Sequence, residues 1–404
     1  MKNAIEILKY IGPGLLVTVG FIDPGNWASN VSAGSQYGTA LLWVVLLSTI
    51  ILIILQHNAA HLGIATGLCL AEATSIYLNR YLAIFVLFSA MLATTSTALA
   101  EILGAAIAIK MLFKIPIKVG GLIILPFIIF FLFSNSYKKV EKWIIGFVSF
   151  IGLSFLVEFL FIKVPAKEVI VSWVKPSMPC GSLLIVLSIL GAVVMPHNLF
   201  LHSEIIQSRQ WNIQDEKVIK HQLKFEFVDT LFSMFIGFLI NISMIIIAYA
   251  TFYTKNIQVT SLEQAQEMLK PLLGNFSATI FAFALLLSGI SSSITAAFTG
   301  GTIFAGLYKK PYNIEDKHTQ LGILIPLILA TITILFISNP FKGLIISQML
   351  LSFQLPVAVV LQIYLTSSKK VMGKFANSLL DKVILLIVAA VVIGLDIYLL
   401  LTSI

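Results

Sequence analysis

Charged residues are scarce in this chain. Asp, Glu, Lys and Arg make up 11% of its 404 residues, whereas hydrophobic residues make up 58%, and the mean hydropathy is +0.99. No polar stretch is longer than roughly 30 residues, which is too short to bury a core of its own. The composition therefore predicts an all-α polytopic membrane protein, with a single transmembrane domain over residues 1–404 and no soluble domain.

Cysteine and the motifs of enzymes are also nearly absent. The chain has two cysteines, Cys69 and Cys180, which lie far apart and argue against a disulfide framework or a cysteine metal cluster. It has no nucleotide-binding glycine loop, no catalytic-triad spacing and no cofactor fingerprint. We therefore predict no enzymatic activity and no cofactor. The net charge of +8 indicates lysines that face anionic lipid, and nucleic acid is not an expected partner.

What the chain does have is long apolar runs. Windows of about 20 apolar residues, the length that crosses a bilayer, predict eleven membrane helices, near 11–35, 40–62, 81–113, 118–136, 142–163, 181–207, 223–253, 276–307, 319–338, 343–366 and 379–402. With a cytoplasmic N-terminus, most of the 26 lysines and arginines fall on the cytoplasmic side, as the positive-inside rule requires. We expect a multi-pass cell-membrane protein with an external C-terminus.

Two of the predicted helices are interrupted by similar motifs. Asp23-Pro24-Gly25-Asn26 lies within the first span, and Met195-Pro196-His197-Asn198 lies within the sixth. Hydrocarbon offers no water to a freed backbone, so a break at membrane depth is stable only where it faces protein or a water-filled cavity. Proline removes a helical donor and glycine loosens the chain, which leaves carbonyls and side chains available to bind an ion. Both breaks are therefore candidate walls of a binding site.

The broken helices are spaced as two structural repeats would place them. Spans one to five, about 11–163, and spans six to ten, about 181–366, each begin with a broken helix that carries Pro-x-Asn. An odd number of spans per repeat forces the second copy to enter the bilayer from the opposite side. The repeats are then inverted, and the two breaks meet near the midplane. The eleventh span, about 379–402, is an accessory helix in this arrangement.

The polar residues at the breaks predict a cation site. A carboxylate costs about 3 kcal/mol to place inside a membrane, so Asp23 is the first candidate ligand, and Asn26 adds an amide oxygen. Both residues also suit a helix cap. Met195 adds a thioether, which favours manganese, iron, cobalt, zinc or cadmium over calcium and magnesium, unless it only fills a gap in the core. Gln348 either binds the ion through its carbonyl oxygen or hydrogen-bonds another helix.

Titratable residues near the breaks predict a proton route. His197 and His202 are five residues apart, which does not place both on one helical face and disfavours a two-histidine zinc site. Histidine titrates near neutral pH, so each histidine either carries protons along the exit path or is a hydrogen-bonded buried group. Glu101 follows a run of small hydroxyl residues in the third span and is expected to point into the core. Together with Asp23, these residues form the predicted route.

These motifs resemble the NRAMP family of divalent-metal transporters over nearly the whole chain. The stretches that carry the resemblance are Asp23-Pro24-Gly25-Asn26, Gly191 to Asn198 with Leu201-His202-Ser203, Leu62 to Gly67, Leu99-Ala100-Glu101, Pro271 to Gly274, Ser347-Gln348 through Pro356, and Met372 to Asn377. The resemblance implies a LeuT-type fold and proton-coupled uptake of manganese or ferrous iron. It also implies that Asp23, Asn26, Met195 and the backbone carbonyl of Ala192 bind the metal.

The chain departs from the family's pattern along the proton route. Ala98 stands where family members usually carry an acid, and Ile290 stands where a glutamine is common. The ninth helix, from Leu321 to Ile337, has no basic residue where the family tends to carry an arginine pair. The implied metal ligands are all present, and Met195 argues against a magnesium-carrying branch of the family. We therefore expect metal transport with weak proton coupling.

The predicted function is a secondary transporter that imports divalent transition-metal ions by alternating access. Manganese and ferrous iron are the expected substrates, with cadmium, cobalt and zinc as further ones, and protons and the lipid bilayer are the other partners. No obligatory protein partner is indicated. One alternative is a broad divalent-cation carrier, including magnesium, without proton coupling. Another is an organic-solute transporter on the same fold, whose half-helix ends would hold a carboxylate, although Asp23 would repel that group.

Overall fold

Helices form nearly all of the regular structure. The computed structural model describes residues 23–134, 166–207, 215–270 and 274–402, with a few single positions between 142 and 162. Within these residues the α-helices are α1 Pro24–Tyr37, α2 Leu42–Thr66, α3 Leu70–Tyr77, α4 Arg80–Phe113, α5 Ile117–Ser134, α6 Ala166–Val174, α7 Leu183–Val194, α8 Pro196–Gln207, α9 Glu216–Thr251, α10 Ser277–Leu307, α11 Lys317–Phe336, α12 Pro340–Ser367, α13 Lys369–Met372 and α14 Leu379–Thr402. Short 3-10 turns connect some of them.

Most of these helices have the length and composition of membrane spans. In the described ranges, eight segments are long and apolar enough to cross a bilayer, namely α2, α4, α5, the pair α7 and α8 counted as one, and α9 to α12. The prediction of an all-helical polytopic membrane protein is confirmed for this part of the chain. Residues 11–22 of the first predicted span and most of 142–163 lie outside the described residues. The predicted total of eleven spans stays a prediction.

The sixth span is broken where the sequence predicts. The helix α7 ends at Val194, and Met195 takes the left-handed conformation, with φ 41° and ψ 81°. The chain then starts again as α8 at Pro196. Asp23 is extended and caps α1, whose first residue is Pro24, and the residues on the other side of the first predicted break lie outside the described ranges. Proline suits the first position of a helix because its missing N–H has no partner there in any case.

A helical corner joins the second and third spans. The helix α2 continues to Thr66 and is closed by Gly67 in the left-handed conformation, whose N–H donates to the carbonyl of Gly63. The short helix α3 then begins after Cys69, which forms a capping box with Glu72. This box satisfies two backbone donors reciprocally. The corner therefore places polar side chains of α3 against the end of α8.

Small residues let the helices around the breaks approach closely. The helix α4 packs along α10, where a Cβ at Gly289 would lie 2.7 Å from the carbonyl oxygen of Glu101 and 2.9 Å from the Cβ of Ala105. Similarly, Gly104 lies against the ring of Pro24. Such close approach is typical of membrane helix interfaces. It holds α4, which carries Glu101, against the start of α1.

We expect Gly289→Ala to destabilise the protein by about 1–3 kcal/mol, because the added methyl group overpacks this interface. The measurement is the thermal unfolding of purified protein in detergent. Gly394→Ala in α14 is the matched control, since a Cβ there meets nothing within 4 Å and alanine is favoured over glycine in a helix. Equal unfolding temperatures for the two variants would contradict the proposed close packing at Gly289.

Candidate functional site

The Asp23 carboxylate has one oxygen engaged and one available. Its Oδ1 accepts a hydrogen bond of 2.6 Å from the backbone N–H of Asn26, so the residue does cap α1. Its Oδ2 is buried and has no hydrogen-bond partner among the residues that the structure describes. An unpaired buried carboxylate oxygen is costly. The helix cap therefore uses only Oδ1 of Asp23, and Oδ2 is suited to binding a cation.

The second break offers a carbonyl and a thioether. A helical bond to the carbonyl of Ala192 would come from the residue four positions later, which is Pro196 and has no N–H. The buried thioether of Met195 accepts from the Nδ2 of Asn198 at 3.3 Å. The Oδ1 of Asn198 is buried without a hydrogen-bond partner in the described part of the chain. This break thus offers a metal ion one soft sulfur ligand and two candidate oxygen ligands.

Gln348 on α12 contacts both broken helices. Its side chain lies directly against Gly25 of α1, and its main-chain carbonyl lies against Gly191 of α7. Both atoms of its side-chain amide are buried and lack a hydrogen-bond partner within the described ranges. Interhelical hydrogen bonding, the alternative for this residue, is therefore not seen there. Gln348 therefore contacts the start of α1 through its side chain and the end of α7 through its main chain.

Asn26 belongs to a cluster of amides that sequence reasoning missed. Its Nδ2 donates to the Oδ1 of Asn241 at 2.6 Å, and its Oδ1 accepts from Asn30 at 3.2 Å. Asn30 also donates to the Oδ1 of Asn241 at 2.9 Å. The cluster fixes which way the Asn26 amide points. The available signal was Asn241, a single asparagine in the apolar second half of α9.

Glu101 adds a second buried carboxylate near the first break. It is fully buried on α4 and lies close enough to Asp23 for their charges to interact, with Ser292 of α10 beside it. Two carboxylates in a low-dielectric interior repel each other unless a cation or a proton intervenes. The charge distribution at this end of α1 therefore favours a bound cation or a proton held between the two acids.

The two histidines of α8 lie in different surroundings. His197 faces Thr97 of α4, with 3.4 Å between its Nδ1 and the threonine Oγ1. His202 donates a 2.6 Å hydrogen bond from its Nδ1 to the Oε1 of Gln56, and its Nε2 lies 3.7 Å from a carboxylate oxygen of Glu226. The structure therefore separates the two rings, and they do not form a common zinc site.

A chain of polar groups leads from His202 to the surface. Glu226 of α9 hydrogen-bonds His57 of α2, and the His57 side chain is 34% exposed. Thr230 donates to the other oxygen of Glu226 at 2.6 Å. Sequence reasoning missed Glu226, which stands between two phenylalanines in an apolar helix. Only the packing of α2 against α9 brings His57 to it.

The sequence matches known proteins over nearly its whole length. A family model described as natural resistance-associated macrophage protein-like matches residues 14–402. A divalent metal cation transporter MntH of Caldanaerobacter subterraneus subsp. tengcongensis is 39% identical over 394 residues, covering 97% of this chain and 92% of that protein. A divalent metal cation transporter MntH of Nostoc sp. is 38% identical over 415 residues, covering 98% of this chain and 92% of that protein.

Solved structures show the same architecture. A crystal structure of an Eremococcus coleocola manganese transporter, in complex with an aromatic bis-isothiourea compound, has a TM-score of 0.84 and 27% identity, and covers 97% of this chain and 86% of that one. The nucleobase-cation-symport-1 transporter Mhp1 has a TM-score of 0.62 at 14% identity, with 92% of this chain and 81% of that one covered. The second likeness concerns the fold alone, which is LeuT-like.

We expect Met195→Ala to weaken cadmium binding by about tenfold or more, a loss of about 1.4 kcal/mol, while manganese binding falls less. The reason is that the substitution removes only the soft thioether donor. The measurement is calorimetric titration of purified protein with each metal. Met244→Ala is the matched control, because Met244 is equally buried on α9. Unchanged cadmium binding in Met195→Ala would mean that Met195 only fills the core.

Proposed function

Because the chain belongs to the Nramp family of divalent metal cation transporters, we propose that it imports manganese and ferrous iron across the cell membrane by alternating access. It is a multi-pass membrane transporter and not an enzyme. The proposal includes cadmium, cobalt and zinc as further substrates. It also includes two inverted repeats of five helices, eleven spans in one domain, a cytoplasmic N-terminus and an external C-terminus.

The proposal rests on a set of buried polar atoms near the two motifs that have no hydrogen-bond partner in the described residues. Asp23 Oδ2, both atoms of the Gln348 amide and Asn198 Oδ1 are buried without hydrogen-bond partners in the part of the chain described. Buried polar groups are normally paired, so several in one place indicate a ligand that the polypeptide itself does not supply. We assign the metal to Asp23, Asn26, Met195, the carbonyl of Ala192 and Gln348.

Metal binding at this site connects helices that a transport cycle has to move. Asp23 and Asn26 belong to the start of α1, Ala192 and Met195 to the junction of α7 and α8, and Gln348 to α12. An ion shared by these elements favours whichever arrangement brings its ligands together. A ligand shifts a conformational equilibrium only by its differential affinity for the two states. The broken helices supply that difference because their ends are not fixed by helical hydrogen bonds.

The alternatives are less well supported by the donor set. A magnesium carrier would gain little from the thioether of Met195, since magnesium prefers oxygen ligands. An organic-solute transporter would place a substrate carboxylate at the start of a half-helix, but there it would meet the Asp23 carboxylate. The negative charge and the soft donor together favour a transition-metal dication.

The proposed proton route begins at Asp23 and Glu101 and continues along α8 through His197 and His202. Glu226 extends it, because its carboxylate lies between His202 and the partly exposed His57. The route has gaps where Ala98 and Ile290 stand. Coupling requires the proton and the metal to bias the same equilibrium, and fewer titratable groups give less differential affinity. We therefore propose a loose proton link.

Asp23→Ala is expected to reduce manganese uptake into proteoliposomes by at least about tenfold, because it removes the carboxylate that holds the dication. The variant should still elute as a monodisperse protein on gel filtration. Asp229→Asn on α9 is the control for altering a buried acid, and it should keep near-parental uptake. Parental uptake by folded Asp23→Ala would remove Asp23 from the site and overturn the proposed function.

We expect an inward proton gradient to accelerate manganese uptake only modestly, by less than about threefold, and metal to enter without a matching proton current. The physical reason is the small number of titratable groups that link the two ions. A pH dye inside the liposomes and a manganese indicator give both fluxes together. A fixed proton-to-metal ratio that disappears in Glu101→Gln would contradict the loose link and show that the remaining groups suffice.

A further inference from the structure

Three buried side chains with metal-ligating atoms meet where α3 contacts the end of α8. The Sγ of Cys69 and carboxylate oxygens of Glu72 and Glu204 all lie within 4.8 Å of one another. Their exposed fractions are 1%, 6% and 9%. The residues come from two separate parts of the chain, since Cys69 and Glu72 form the start of α3 and Glu204 is near the end of α8.

The capping box explains only part of this cluster. The Cys69 Sγ accepts from the N–H of Glu72 at 3.4 Å, and Glu72 Oε2 accepts from the N–H of Cys69 at 2.9 Å and from Gln207 Nε2 at 2.8 Å. Glu204 has no role in the box. Its carboxylate lies within 4.8 Å of the Cys69 Sγ, and its Oε2 is buried with no partner among the described residues.

A fourth candidate ligand, an amide oxygen, lies next to the cluster. The side-chain amide of Gln207 donates to Glu72 through Nε2, and its Oε1, bonded to the same carbon, is buried and has no hydrogen-bond partner in the described ranges. No lysine or arginine forms an ion pair with Glu72 or Glu204 in the portion of the chain that the structure covers. Buried acids without a cation are unfavourable, and a bound dication would remove that cost.

We propose that Cys69, Glu72 and Glu204 form a second divalent-metal site, distinct from the transport site, for cations that accept a thiolate, such as zinc, cadmium and ferrous iron. A thiolate and two carboxylates exclude magnesium and calcium as preferred ions. Sulfur and oxygen ligands of zinc lie about 2.3 and 2.1 Å from the ion, so small side-chain movements close the site. The Gln207 carbonyl or a water completes four ligands.

The second site is separated from the first along one helix. Glu204 is nine residues after Met195, which is about 14 Å along α8 at 1.5 Å per residue. A metal held by Cys69 and Glu72 on one side and by Glu204 on the other ties α8 to α3. Since α8 begins at the break, occupancy of the second site restrains the helix that presents Met195. Metal bound at the second site is therefore coupled through α8 to the residues at the break.

The test uses cadmium and the ultraviolet charge-transfer absorption of a cadmium thiolate, measured on the purified full chain. Asp23→Ala and Met195→Ala are combined as the background, so that the transport site does not contribute and the result does not depend on the proposed function. Cys180 is the other cysteine of the chain and is exposed, so Cys180→Ser is the matched control for Cys69→Ser. Glu204→Gln tests the carboxylate without changing either cysteine.

We expect the cadmium absorption to persist in Cys180→Ser, to disappear in Cys69→Ser, and to require at least about tenfold more cadmium in Glu204→Gln. Unfolding temperatures within a few degrees of the background establish that the variants are folded. Absorption that survives Cys69→Ser, or that is lost in Cys180→Ser, would overturn the site. If Cys69→Ser does not fold, Glu204→Gln on the Cys180→Ser background decides, and unchanged cadmium affinity there would overturn the proposal.

Discussion

At Met195 the backbone leaves the helix within a membrane span, and its polar groups have to find partners without water. The left-handed conformation of Met195 and the missing N–H of Pro196 release the carbonyl of Ala192 from helical bonding. The released groups are stable only if side chains or an ion satisfy them. The positions of α1, α12 and α4 around the junction follow from this requirement, since each brings polar atoms to it.

The position of Gln348 depends on small residues in the neighbouring helices. Its amide fits against α1 because residue 25 is glycine, and its main chain fits against α7 because residue 191 is glycine. With larger residues, the helices would separate and the donors at the two breaks would lie too far apart to share one ion. The amide cluster of Asn26, Asn30 and Asn241 restrains α1 in a similar way from the α9 side. Side-chain size therefore controls the geometry of the proposed site.

The polar groups at the two ends of α8 contact different partners. Met195 lies just before α8 and His197 lies in its first turn, whereas its later turns carry His202, which lies 3.7 Å from Glu226, and Glu204, which lies within 4.8 Å of the Cys69 Sγ. All of these groups are buried, so a movement of α8 alters several polar contacts at once. A movement of α8 therefore connects the two proposed metal sites and the proposed proton route.

The sequence by itself determined the class of protein, most of the described helix positions and the break at Met195. Long apolar runs and intramembrane proline have few stable solutions in a bilayer, so these features are readable without coordinates. Asp23, Asn26, Met195 and Gln348 were identifiable because polar and soft donors are costly or unusual in such runs. Only the tertiary structure decided their surroundings. Asn241, Glu226 and Cys69 acquire their partners from residues far away in the chain, and hydropathy and spacing do not encode which faces of two helices meet. The contacts between α9 and α1 and between α3 and α8 depend on side-chain size and shape, which is why these partners emerged from the fold alone.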